Sequence, residues 1–150
     1  MILSLNKMEM AMNNIVFEKI WQDNDIIELG ILVCSEYVTA KQSCYIQDTD
    51  IRRIAEQLNE YSYNYVKECY VEIGDKRGNS TPAFSMLFLP ADLSGHMKIE
   101  VDVEIDDNDE RSHRCCCFVD GEIGAVERVG NAFNRLITEG VGVKISLYDI

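Results

Sequence analysis

The sequence predicts an α+β fold, a mainly antiparallel β-sheet of five to seven strands with two helices packed on one side. Three observations carry this reading. Met97, Ile99, Val101, Val103 and Ile105 alternate with Lys98, Glu100, Asp102 and Glu104, which gives a strand over 96–105 one apolar and one acidic face. Strands over 83–89 and 112–119 flank it, joined by two stretches rich in turn residues, 90–95 and Asp106-Asp107-Asn108-Asp109-Glu110, so the three make an antiparallel meander. Two other stretches carry apolar residues at helical spacing instead.

Taken in order, 15–21 is a strand candidate, closed by a turn at Asn24-Asp25. Residues 26–38 are apolar and rich in strand formers, and 37–46 continue as a hairpin partner. Asp48, Thr49 and Asp50 then open a helix over 50–60, because their side-chain oxygens suit the free N–H groups and positive dipole end of a first turn. Ile51, Ile54, Ala55 and Leu58 form its buried stripe. A strand over 66–73 and a glycine-bearing loop over 74–80 lead into the meander. The second helix spans 123–138 on Ile123, Val126, Val129, Phe133, Leu136 and Ile137. Gly124 and Gly130 lower its intrinsic stability, so tertiary packing must hold it. Val141, Val143, Ile145 and Leu147 alternate in a closing strand.

The chain of 150 residues has the length of one domain spanning 1–150, with a ragged first dozen residues in which Met8, Met10 and Met12 are alternative starts. Its 26 acidic and 14 basic residues leave a formal charge of −12. That balance argues against phosphate-neutralising contact with nucleic acid and against anionic membranes, and favours a basic partner. From Asp92 to Glu110 eight acids face one base, Lys98, which places −7 of the charge in 19 residues. A solvated sheet face is the commoner origin of such a run. The sharper reading is a docking surface formed by Glu100, Asp102, Glu104, Asp106, Asp107 and Asp109. Tyr61, Tyr63 and Tyr65, at alternate positions, are the alternative interface, since aromatic residues are enriched where proteins meet. No apolar run approaches the roughly 20 residues of a membrane helix, and no export signal is visible at the start. The six cysteines are therefore expected as cytosolic free thiols, with Cys115 and Cys117 buried and Cys116 covered on the other side of its strand.

Catalytic and metal-binding patterns are thin. His113, Cys115 and Cys117 share a strand face, but side chains two apart on a strand stand about 7 Å from each other, too far for ligands of one zinc ion. The acidic run at Asp106 starts like a calcium loop, yet Arg111 stands where the sharp-turn glycine belongs and Cys117 where the closing glutamate belongs. There is no G-x-S-x-G, Walker or dinucleotide pattern, and only two histidines, His96 and His113. The expectation is a protein that is not an enzyme and uses neither metal nor cofactor. A small enzyme or ligand-binding domain, or a structural subunit of an oligomer, remains the alternative.

Several blocks also carry a resemblance. They are Cys44-Tyr45-Ile46 with the helix from Asp50 to Leu58, then Pro82-Ala83-Phe84-Ser85-Met86, the strand from Gly95 to Val101, and the stretch from Glu122 to Leu136. Together they resemble small bacterial immunity proteins of the WapI type, found with polymorphic and contact-dependent toxin systems. The resemblance implies a cytoplasmic protein that binds and neutralises a cognate toxin domain, often a nuclease. It assigns no binding residues. An acidic inhibitor suits the cationic surface that a nuclease offers its substrate.

Overall fold

The computed structural model describes residues 13–74, 83–108 and 111–149. The fold is α+β and antiparallel throughout, with its strands divided between two four-stranded sheets instead of one larger sheet. The chain runs β1 (Asn14–Gln22), β2 (Ile27–Cys34), β3 (Thr39–Ile46), α1 (Asp48–Tyr63), β4 (Cys69–Ile73), β5 (Ala83–Phe88), β6 (His96–Asn108), β7 (Arg111–Glu122), α2 (Ile123–Ala132), α3 (Arg135–Thr138) and β8 (Lys144–Ser146). The first sheet has the order β3-β2-β1-β8 and the second β4-β5-β6-β7. All the neighbouring strands joined by short connections pair as expected. The split falls where α1 carries the chain away from β3, so that β4 begins a new sheet.

Each sheet buries one face. Ile15, Phe17, Ile27, Leu29, Ile31 and Val33 point inward from the first. Val71, Phe84, Met86, Phe88, Ile99, Val101, Val103 and Val119 do so from the second. Both faces, and the stripes of the helices, feed one apolar core. Phe17 sits at its centre, edge-on to Phe84 of the second sheet at 6.3 Å and to Phe133 at 5.3 Å. Such aromatic pairs add about 0.5–1.5 kcal/mol to the burial itself. The Gln42 side chain crosses between the sheets and donates to the Glu104 carbonyl.

Helix α1 starts two residues earlier and ends three residues later than its apolar stripe predicts, with the Asp50 carboxylate accepting the Gln47 N–H at 3.3 Å. The second predicted helix is two. Past Ala132, Leu136 and Ile137 donate to the carbonyls three residues back, Phe133 and Asn134, at 3.1 and 2.9 Å, a tighter turn than an α-helix makes. The break still leaves Phe133 and Leu136 buried. Gly130 accounts for the packing its helix needs. A Cβ there would stand 2.7 Å from Asn59 Oδ1 and 3.2 Å from Leu58 Cβ, so the missing side chain lets α1 and α2 approach.

Other boundaries shift as well. The hairpin turn at Ser35 is closed by its own hydroxyl, which accepts the N–H groups of Tyr37 and Val38 at 3.3 and 3.0 Å. The stretch 64–68 is a turn, not strand, with Lys67 N–H on the Asn64 carbonyl. The expected turn at 106–110 is shorter, since Asp106 pairs with Ser112 and Asn108 with Arg111. Of the closing strand Lys144–Ser146 stand in register with β1, and backbone hydrogen bonds to β1 continue at Gly142, Val143 and Leu147. The first dozen residues and most of the 74–80 loop lie outside the described residues. No helix among the described residues is long and apolar enough to cross a membrane.

Candidate functional site

The outer face of the second sheet is the surface to which the acidic run belongs. Strand alternation sends Lys98, Glu100, Asp102 and Glu104 to the side opposite the core, and the register fixes their neighbours. Glu100 stands in a row with Leu87 and Tyr70 on one side and Phe118 on the other. Asp102 stands in the next row, with Ser85, Glu72 and Cys116.

Of the six predicted acids, the three in the middle of β6 have different fates. Asp102 is not exposed. It is 9 % exposed as a residue and holds the Arg114 guanidinium through two contacts, Nε to Oδ1 at 3.1 Å and Nη2 to Oδ2 at 2.5 Å. This fork is the strong geometry for an arginine and a carboxylate. The carboxylate in turn holds the Arg114 pKa above its ordinary value. Glu104 lies 3.9 Å from Arg114 Nε and shares the same cation. Glu100 is half-buried, and no lysine or arginine lies within ion-pair distance of it among the described residues. The expectation of a uniformly open acidic face is therefore corrected. The sequence shows which face an acid occupies, but not that Arg114, on the next strand, comes to lie across from Glu104. Asp106 and Asp107 fall on the last residues of β6, and Asp109 lies outside the described residues.

The tyrosine alternative is corrected as well. Because α1 runs through Tyr63, residues two apart point to nearly opposite sides of a helix. Tyr61 is buried at 3 % exposure against Phe88, with its hydroxyl donating to the Leu89 carbonyl, whereas Tyr63 is 84 % exposed. Tyr65 is half-buried. The three share no surface.

Sequence reasoning missed the aromatic residues that do accompany the acids. Tyr70 is 49 % exposed and Phe118 52 %. Both stand at strand positions with the parity of Glu72 and Glu100, and that parity was the available signal. Tyr70 donates its hydroxyl to Glu72 Oε1 at 2.7 Å. Lys98 meets Asp120 at 2.6 Å across the strand pair.

No protein-family model, curated protein or solved structure matches the chain.

No two of the six cysteines are joined, and no group of three or more His, Cys, Asp or Glu among the described residues is placed to hold a metal ion. Cys117 is buried and Cys115 half-buried, but Cys116 is exposed, contrary to the expectation that both sides of its strand are covered. Burial raises the pKa of the Cys117 thiol and pushes that of Cys44 to about 12 and that of Cys69 to about 11. Such thiols are protonated and inert at neutral pH. His96 stands 3.8 Å from both Asp92 and Glu122, at the exposed start of β6.

Proposed function

We propose that the protein is a cytoplasmic immunity protein that binds and neutralises a cognate cationic toxin domain, a nuclease, through the outer face of its second sheet. One observation carries the reading. Glu100, half-buried and without a lysine or arginine in ion-pair distance among the described residues, stands between Leu87 and Phe118 in a row that ends at Tyr70, on a face with its aromatic residues half exposed. Buried aromatic anchors supply most of the affinity in protein interfaces, and charges mainly supply steering and selectivity. A row with both suits a protein partner better than a small substrate. The chain's charge of −12 sets the sign of that partner, and the resemblance to WapI-type immunity proteins supplies its class. Inhibition by occlusion requires no catalytic group.

The test is co-expression with candidate nuclease toxin domains sought in the genes beside its own. The wild-type chain restores growth, and the double variant Glu100→Gln, Phe118→Ser lowers the rescue while folding normally. Absence of rescue by the wild-type chain, together with absence of binding to the purified domain, overturns the immunity reading.

A further inference from the structure

A second row matches the first. Across the outer face of the first sheet, Trp21 pairs with Glu28 and Glu28 with Tyr45. A bulge in β1 after the buried Lys19 shifts the register there, and Ile20 and Trp21 are both exposed. Trp21 is 44 % and Tyr45 51 % exposed. One residue from the end of each row, Tyr45 and Tyr70, lines a cleft of about 480 Å³ together with Asp50, Arg53 and Gln57 of α1. Arg53 is held by Asp50 at 3.4 Å.

The carboxylates sort along the same line. On the outer faces of the two sheets, Glu18 has Lys144, Asp102 and Glu104 have Arg114, and Asp120 has Lys98. Glu28, Glu72 and Glu100 have no lysine or arginine within ion-pair distance among the described residues, and neither has Glu122 at the end of β7, which stands 3.8 Å from His96. Among the described residues Glu28 accepts the Ser43 hydroxyl, at 2.5 Å, and Glu72 the Tyr70 hydroxyl. Glu28 and Glu100 lie in the two aromatic rows, and Glu72 lines the cleft that joins them.

We infer that the two rows and the cleft form one continuous docking band across both sheets, and that its occupant is a protein segment presenting several arginine side chains. An aromatic face and a carboxylate side by side recognise a guanidinium from two directions, by cation–π contact and by paired hydrogen bonds. Arginine fits better than lysine, because its planar group stacks on a ring while its edge remains free to donate. The inference widens the surface used in the reading above but does not require the occupant to be a toxin.

Nona-arginine is the probe, titrated against the full chain and followed by fluorescence of Trp21, the single tryptophan, with nona-lysine in parallel. The expected result is that Glu28→Gln, Glu72→Gln, Glu100→Gln weakens nona-arginine binding at least tenfold. The charge-matched control Glu36→Gln, Glu56→Gln, Glu127→Gln, at exposed positions that belong to neither row and do not line the cleft, weakens it less than threefold. Tyr45→Ser, Tyr70→Ser weakens it at least fivefold with no change of charge, and nona-lysine binds the wild-type chain less tightly. Equal losses in the band variant and its control would leave only net charge and overturn the inference. Sedimentation showing that the band joins two copies of this chain overturns the occupant. Should a variant fail to fold, amide-shift mapping on the wild-type chain decides: shifts confined to the two rows and the cleft support the band, and shifts elsewhere overturn it. A chain that binds nona-arginine along the band but rescues from no toxin keeps this inference and loses the immunity reading. Rescue without band binding does the reverse.

Discussion

Lys19 shows what alternation does and does not reveal. Its parity in β1 places it inward with Ile15 and Phe17, and it is fully buried. Lysine is almost never fully buried without partners, and its partners come from the far end of the chain. The ammonium donates to Gln22 Oε1 at 2.8 Å and to the carbonyls of Ile137 and Glu139 where α3 ends. A cation there meets helix carbonyls that have no partner of their own. Lys19→Met should therefore cost about 1–3 kcal/mol, the usual cost of orphaning buried acceptors, read as a lower denaturant midpoint at pH 7. The titratable groups inside the core set the alkaline limit. Burial holds the pKa values of Cys44 and Tyr61 at about 12 and of Cys69 at about 11. The folded state keeps those protons after the unfolded state has lost them, so stability falls as pH rises through the unfolded values, from about 8.5 for the thiols. Each thiol contributes a slope of about 1.4 kcal/mol per pH unit until its folded value is reached. Lys19 acts in the opposite sense, since desolvation lowers its pKa, but it is one group against three. Denaturant midpoints measured from pH 7 to 10 should be level at first and then decline. A midpoint that rises over that range contradicts these assignments.

At the scale of elements, period was legible and partnership was not. The alternation in 96–105 fixes which side chains reach the core, because a strand repeats every two residues whatever pairs with it. The same residues say nothing about where one sheet stops. That depended on α1, whose ends direct β3 and β4 into different sheets, and on β8, which crosses most of the chain to reach β1. The acidic run was legible as a face, but not as three different environments, because Arg114 comes from another strand. The aromatic rows were hidden for the same reason, since Tyr70 and Phe118 become neighbours of Glu100 only through three strand pairings. The helix glycines divide cleanly. Gly124 is exposed, with only the Arg128 side chain 3.7 Å from an added Cβ, whereas Gly130 is pressed on Leu58 and Asn59. Gly124→Ala should therefore stabilise by up to about 1 kcal/mol through helix propensity. Gly130→Ala should lose stability, because overpacking at a helix contact typically costs about 1–3 kcal/mol. Thermal melts of the two variants check this pair. Equal gains would show that α1 and α2 are not packed at Gly130.

The molecule as a whole keeps its charge outside two half-covered sheets. Both sheets spend their apolar faces on a shared core, and the helices fill that core, so the opposite faces carry a pattern that folding does not require. On those faces, among the described residues, Glu18, Asp102, Glu104 and Asp120 have a lysine or arginine within ion-pair distance. Glu28, Glu72 and Glu100 have none and accompany exposed aromatic residues. The account therefore turns on whether Glu28, Glu72 and Glu100 meet a basic partner. The most direct measurement is the association rate with the cognate toxin domain, by stopped flow, across ionic strengths from about 0.01 M to about 1 M, over which the Debye length shrinks from about 30 Å to about 3 Å. The account predicts fast association at low salt that falls steeply as salt rises, and a slower, flatter dependence for Glu28→Gln, Glu72→Gln, Glu100→Gln than for the control at Glu36, Glu56 and Glu127. Association that is equally fast and equally salt-dependent in both variants would contradict it.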